Sequence, residues 1–408
     1  MKVATKFGLR FLFGLLCPAL LIGGCVGATV ADPPPPQPAA KISRSAPVAV
    51  LPAPAADGWA DKFAGDFAVY VQGEMESAQI PGLSLAVVNR DGPLLLAGYG
   101  LRDVEKNLPV DGDTLFHIGS THKSMTALLV ATLVDEGVLG WDTPAVEIDP
   151  DFSLSDESAT QTISLRHLLS MTSGIPDDAE GDLSEEPTVE DVFAVAAEAE
   201  LLGAPGEVFS YSNISASLAG YLAALAAGSD FDAVHAGYAR LLRERLLAPL
   251  GMKTATVYVS EARRNPNHSL AYDIGSGAPE VLEPYDSDGD ALAPSGSLKA
   301  SAREMGLYMQ MLVNRGIAPD GTRIVSENSL AEMWTPLLED YGLGWEITDV
   351  DGLRLVSHTG AFDGFVSVIG LLPDEGVGFV LLVNEEENGG VLTDEAAQKF
   401  AELYRASK

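Results

Sequence analysis

Phe116-His117-Ile118-Gly119-Ser120-Thr121-His122-Lys123 is the stretch on which the fold turns. Beyond it Met125, Leu128, Leu129 and Leu133 recur at helical spacing, and Gly137 stands where the run ends. That pattern predicts a helix from about Ser120 to Glu136, with those apolar side chains anchoring it in the core. Ser120 then stands at the helix start, with Lys123 three residues on along the same face. A serine hydroxyl is a weak nucleophile until a base takes its proton. A lysine can be that base only when neutral, which needs burial or a neighbouring positive charge. The free N–H groups and positive dipole end of a helix start suit a developing oxyanion. By itself, Ser-x-x-Lys is a weak signal and better describes an N-cap beside a solvated charge.

Two further clusters lie downstream. Tyr211-Ser212-Asn213 precedes a predicted helix. A phenol can relay a proton if a cation depresses its pKa. The amide of Asn213 can donate and accept together, and so can hold Lys123 and a substrate carbonyl. As plain structure, Tyr211 would be a buried aromatic with a satisfied hydroxyl. Ser357-His358-Thr359-Gly360-Ala361 ends a predicted strand, and a glycine there lets a substrate backbone lie close.

The ordered set Ser-x-x-Lys, Tyr-x-Asn and His-Thr-Gly resembles the serine β-lactamase and penicillin-binding-protein family. Within it the pattern resembles the branch of class C β-lactamases, D-Ala-D-Ala carboxypeptidases and related esterases. Ile163 to Pro176, Pro294 to Leu298 and Tyr341 to Trp345 carry the same resemblance, which spans about Phe63 to Leu403. It implies an acylated nucleophile at Ser120, its base at Lys123 and a second general base and acid at Tyr211. It further implies orientation by Asn213, a substrate edge of His358, Thr359 and Gly360, and an oxyanion hole from the N–H groups of Ser120 and Ala361. The implied fold is α/β (α+β): a mostly antiparallel sheet flanked by helices, plus an all-helical lobe. The implied partner is a small-molecule or short peptide substrate, with ester or amide (D-peptide-like) bonds. Alternatives are a weak β-lactamase or D-Ala-D-Ala carboxypeptidase, or a non-catalytic envelope binding protein on the same fold.

Two departures bear on the substrate. True β-lactamases of the family usually begin the third motif with lysine; here it is His358. Histidine is mostly neutral near pH 7 unless its site raises the pKa. If its protonation recruited a carboxylate, activity on such substrates would rise as pH falls toward 6. Second, Asp177, Asp178, Glu180, Asp182, Glu185 and Glu186 form one acidic loop, and Asp286, Asp288 and Asp290 another. Either could be a plain solvated run. If they edge the cleft, they disfavour anions and leave esters, neutral amides or free-amine peptides.

Other elements follow from periodicity. Asp61 to Ala78 reads as a helix, and Leu83 to Asn89 with Leu94 to Tyr99 as a hairpin about Asp91-Gly92. Helices are expected over Leu165–Met171, Val189–Ala199, Ser215–Ala227, Phe231–Leu246 and Ala302–Val313. Strands return at Gly344–Thr348, Arg354–His358, Phe365–Leu372 and Gly376–Asn384, and a helix over Thr393–Arg405 closes the chain. Strands at both ends imply one sheet assembled from distant segments, with a helical lobe within about 120–313. His122 should be packed or exposed, His167 a structural hydrogen-bonder, and His235 and His268 surface residues.

The 408 residues carry a net charge of −33, from 25 basic and 58 acidic side chains. Such a body repels phosphate backbones, so no nucleic acid is expected as partner. Absent too are His-Glu-x-x-His, clustered Cys/His spacing and a Gly-rich phosphate loop, so neither metal nor cofactor is expected. Asp286-x-Asp288-x-Asp290 lacks the later glycine and glutamate of a calcium loop.

At the N-terminus Lys2, Lys6 and Arg10 precede an apolar run from Phe11 to Ile22, too short for a membrane span. Leu21-Ile22-Gly23-Gly24-Cys25 then resembles a bacterial lipobox. Residues 1–25 are therefore expected to be a lipoprotein signal peptide, with Cys25 lipidated and tethered to membrane. Val26 after it leans toward the outer membrane, on the periplasmic side of a bacterial envelope. The alternative is cleavage near Ala28 or Ala31 and a soluble periplasmic or secreted protein. Residues 26–58 form a Pro/Ala-rich linker, and 59–408 the folded domain. Cys17 lies inside the apolar run and Cys25 is the other cysteine, so no disulfide is expected.

Overall fold

A computed structural model describes residues 58–184, 186–283 and 287–408. The expected leader, the expected lipidation site at Cys25, the expected linker up to residue 57, Glu185 and Asp286 lie outside the described residues. None of the described helices is long and apolar enough to cross a membrane.

The chain enters through helix α1 (Trp59–Ala78), which buries Phe63, Phe67, Val71 and Met75 along one stripe. The hairpin follows as β1 (Gly82–Asn89) and β2 (Gly92–Asp103). Asn89 Oδ1 accepts the N–H groups of Asp91 and Gly92 at 2.8 and 3.0 Å, a side-chain turn that fixes the reversal. β3 (Leu108–Pro109) edges β2, and β4 (Leu115–His117) leads into the quoted stretch. Then come α2 (His122–Asp135) and α3 (Asn213–Ala226), with shorter helices between them. Two small ladders lie within the lobe region: β5 (Ala271–Asp273) with β6 (Glu280–Leu282), and β4 with β7 (Lys299–Ser301). The lobe is thus helical with small strands, not all-helical as expected. Helix α4 (Ala302–Val313) returns the chain to β8 (Glu346–Val350), β9 (Leu353–Phe362), β10 (Phe365–Leu372), β11 (Val377–Val383) and α5 (Glu387–Ala406).

Among the described residues the main sheet runs β3-β2-β1-β11-β10-β9-β8, antiparallel throughout. Its first and last segments meet at the β1–β11 pairing, Leu85 opposite Leu381. Strand residues alternate between two cores. Leu83, Leu85, Val87, Phe379 and Leu381 face α1 and α5, whereas Ala86, Val88, Val380 and Leu382 face the lobe. A two-sided burial pattern of this kind is why these strands read as continuous apolar runs.

Several predicted boundaries move, among them those of the closing helix and of the strand that carries His358. α5 begins six residues before Thr393 because Glu385 gathers the N–H groups of Glu387, Asn388 and Gly389, which outweighs the poor helix propensity of Gly389-Gly390. The strand expected to end at His358 continues through Phe362, so the whole His-Thr-Gly-Ala motif lies on β9.

Candidate active site

Gly119, Ser120 and Thr121 form a single 3-10 turn that feeds directly into α2. Ser120 does not cap the helix: Thr121 occupies that position, with no side-chain cap bond. α2 buries 12 of its 14 residues, so it is the central rod of the lobe and not a surface helix. Lys123, on its first turn, is fully buried.

Two glycines bring β9 against the turn. Gly119 sits at φ +52, and a Cβ there would stand 2.6 Å from Ala361 N. A Cβ on Gly360 would stand 2.3 Å from Ile118 O and 2.9 Å from Ser120 N. Only glycine permits this approach, which sets the Ser120 and Ala361 amides side by side. β8 pairs with β9 only as far as Ser357, opposite Glu346, so β9 beyond it has no strand partner on that side.

Lys123 Nζ donates to Ser120 Oγ at 2.9 Å, to Asn213 Oδ1 at 2.6 Å and to the Ser295 carbonyl at 3.0 Å. Burial lowers its pKa from 10.5 to about 7, and the Glu180 carboxylate opposes that shift. Asn213 Nδ2 donates to Glu180 Oε2 at 2.7 Å. Both ends of the amide are therefore assigned, with one N–H left for a substrate carbonyl. The Tyr211 ring centroid lies 4.8 Å from Lys123 Nζ, and its hydroxyl is near enough to interact with Ser120. The nearby cation does not depress its phenol: burial raises its pKa, with the Ser120 interaction as the smaller opposing effect, so Tyr211 rests protonated.

His358 is buried and faces neither solvent nor a free carboxylate site. Its Nδ1–H donates to the Thr359 carbonyl, and Nε2 accepts from the Tyr341 hydroxyl at 2.9 Å. Burial, reinforced by Lys123, pushes its pKa down to about 3. The expected titration near pH 6 is therefore corrected: His358 is neutral throughout that range. Tyr341 makes an edge contact with Tyr211 as well, at 6.3 Å. Thr359 contributes its carbonyl to this knot.

A cleft of about 960 Å³ opens over Ser120, Asn213 and Ala361. Both acidic loops edge it, through Glu180, Glu186 and Asp290, and Asp363 and Glu386 add to the rim. Among the described residues its lining holds no lysine, arginine or histidine. No group of His, Cys, Asp and Glu among them could hold a metal ion.

This constellation matches a protein family: the β-lactamase model aligns with residues 67–403. The chain belongs to the β-lactamase family. Penicillin-binding protein 4 of Amycolatopsis lactamdurans is 31% identical over 336 residues, covering 79% of this chain and 85% of the relative. Protein flp of Staphylococcus aureus is 27% identical over 77% of this chain, which spans 61% of that protein's length. Among solved structures, the octameric penicillin-binding protein homologue of Pyrococcus abyssi superposes with a TM-score of 0.72 at 25% identity, over 84% of this chain and 77% of the other. A class C β-lactamase of Rhodobacter sphaeroides shares the fold, with a TM-score of 0.65 at 22% identity over 83% and 98%.

The sequence pointed to Ser120, Lys123, Tyr211, Asn213, His358, Thr359, Gly360 and Ala361, and the fold gathers all eight, Thr359 through its carbonyl on His358. It did not single out three further members of this β-lactamase-family site: the Ser295 carbonyl, the Tyr341 hydroxyl and Glu180. Ser295 and Tyr341 lie in stretches noted only for their family resemblance. Glu180 was one acid in a run, with no spacing to distinguish it. His122 is fully buried beside Tyr238, 3.1 Å away, and burial lowers its pKa to about 3. His167 forms a capping box with Ser164, as expected. His235 and His268 are half-buried, not surface residues.

Proposed function

We propose that this chain is an exported serine hydrolase that cleaves ester or amide bonds, D-peptide-like ones included, through an acyl-enzyme on Ser120. The carrying observation is the 2.9 Å contact between Ser120 Oγ and a buried lysine with a pKa of about 7. At neutral pH a substantial fraction of Lys123 is the free amine, close to the optimum for a base working there. Lys123 takes the Ser120 proton as Oγ bonds to the substrate carbonyl carbon. The amides of Ser120 and Ala361 receive the oxyanion. The leaving oxygen or nitrogen departs with a proton from Tyr211, which is replenished from the Lys123 ammonium. Water then attacks the acyl-enzyme by the same route in reverse.

Charge narrows the substrate. A carboxylate on the ligand meets no cation among the described lining residues and faces Glu180, Glu186 and Asp290. His358 is neutral and engaged at both nitrogens. These observations favour uncharged or cationic esters and amides over β-lactams and D-Ala-D-Ala peptides, each of which carries a carboxylate. The ordered base network also weighs against a purely binding role, which has no need of a neutral lysine. The basic and apolar leader and the lipobox-like stretch ending at Cys25 are what support export, anchoring and a mature domain on the periplasmic side of the envelope.

The test is a panel of short esters, D-amino-acid amides, D-Ala-D-Ala peptides and a chromogenic cephalosporin. Ester or amide turnover, lost in Ser120→Ala, is the expected result. Turnover of the cephalosporin alone, or activity that survives Ser120→Ala, contradicts the reading.

A further inference from the structure

Glu180 is a cleft carboxylate wired to the catalytic base. A chain of hydrogen bonds runs from Ser120 Oγ to Lys123 Nζ (2.9 Å), on to Asn213 Oδ1 (2.6 Å), and from Asn213 Nδ2 to Glu180 Oε2 (2.7 Å). Glu180 is half-buried and lines the same cavity as Ser120. We infer that Glu180 is a specificity residue of this site: it pairs with an ammonium group on the substrate, and that pairing releases Lys123 to act as a base. This deepens the proposed acyl-transfer function and rests on it.

The coupling is electrostatic. A carboxylate two hydrogen bonds away favours the charged form of Lys123, which is the wrong form for catalysis. A substrate ammonium at Glu180 cancels that influence. A cationic substrate therefore gains twice, by binding and by raising the fraction of free amine at Lys123. A neutral ester gains neither. The titratable groups around Lys123 and Glu180 are Tyr211 and His358 on the floor, and Glu186, Asp290, Asp363 and Glu386 around the rim. Each rim group is acidic, so the rim shares in drawing a cation into the cleft and gives Glu180 no positive partner; what sets Glu180 apart is its hydrogen bond to Asn213. Asn213 remains the bridge in either state, because its Nδ2 can donate to a carboxylate or to a carboxamide oxygen.

The experiment uses the mature protein and two matched pairs of esters. Acetylcholine and 3,3-dimethylbutyl acetate differ by a charge on the alcohol side. Methyl 6-aminohexanoate and methyl heptanoate differ by a charge on the acyl side. In the wild type at least one pair should favour the cation by about tenfold or more in kcat/KM, the range of a hydrogen bond to a charged group. That preference should shrink as salt is raised. The acid-limb midpoint of kcat, which reports the enzyme–substrate complex, should lie lower for the cationic ester than for its neutral partner. In Glu180→Gln the preference should fall to near one and the two midpoints should coincide. A ratio near one for both pairs in the wild type overturns the inference without using any variant. So does a preference that survives Glu180→Gln, or a Glu180→Gln that slows all four esters alike with unmoved midpoints. Failure of the underlying reading looks different: no ester of either kind is cleaved, or Ser120→Ala still cleaves them.

Discussion

The two faces of the main sheet are built to opposite specifications. On the outer face, Phe63 and Phe67 of α1 interlock with Phe379 of β11 and Phe400 of α5, with ring centroids 4.6–5.2 Å apart. This core is aromatic and aliphatic, and its contribution is packing. On the inner face, α2 carries His122, Lys123, Ser124 and Thr126 fully buried, next to the Tyr238 and Tyr308 hydroxyls. Burying a lysine costs stability unless it is paired, and Lys123 meets only neutral oxygens directly. The difference teaches where each requirement is met. One face supplies cohesion, and the other buries a lysine whose pKa falls to about 7, at the expense of cohesion.

That contrast can be broken in four ways. The largest effect is on rate. Ser120→Ala or Lys123→Ala should lower kcat/KM on an ester by about 10⁴-fold or more, because groups that act as a unit fail together. Hydrolysis assays check this, and circular dichroism should show a folded protein in both variants. Next comes the outer face. Phe400→Ala should lower unfolding stability by about 3–5 kcal/mol in denaturant titration. The folded fraction should keep a kcat/KM within about threefold of wild type, since no outer-face residue lines the cleft.

The third effect has the opposite sign. Lys123→Met should raise stability at pH 7 by about 1–4 kcal/mol while abolishing activity, as when other buried charges are replaced by apolar groups. The pH dependence follows from the same group. The folded pKa is about 7 and the unfolded pKa 10.5, so the unfolded chain binds more protons between them. Wild-type stability should therefore climb from pH 7 toward 10.5, and Lys123→Met should lack that part of the climb. The smallest effect belongs to the inner-face aromatics. Tyr341→Phe leaves His358 Nε2 without its donor and should cost about 1–3 kcal/mol. A loss below a few tenths would mean that the Tyr341–His358 bond is incidental.

Much of the inner face was legible because its chemistry is local. Ser120 and Lys123 lie one turn apart, and Tyr211-x-Asn213 and His358-Thr359-Gly360 are compact strings. The sheet was legible because two-sided burial writes unbroken apolar runs such as 365–372 and 377–383. What escaped was set by tertiary contact. The direction of the Tyr211 pKa depends on how deeply the ring is buried. The neutrality of His358 depends on its burial and on Lys123 from another element, and its Nε2 is held by Tyr341, 17 residues away. Glu180 reaches Asn213 across 33 residues of sequence, and only the fold separates it from the acids beside it. The early start of α5 was hidden by a glycine pair whose poor propensity the Glu385 carboxylate overrides.

The central claim is that burial makes Lys123 the neutral base of Ser120. Its most direct test is the rate of covalent labelling at Ser120 by a fluorophosphonate, followed by mass spectrometry between about pH 5 and 11. The account predicts an adduct on the Ser120 peptide, forming at a rate that rises through a midpoint near 7 and then levels, as set by the Lys123 pKa of about 7. A midpoint near the ordinary lysine value of 10.5, or no adduct on Ser120 at any pH, would contradict it.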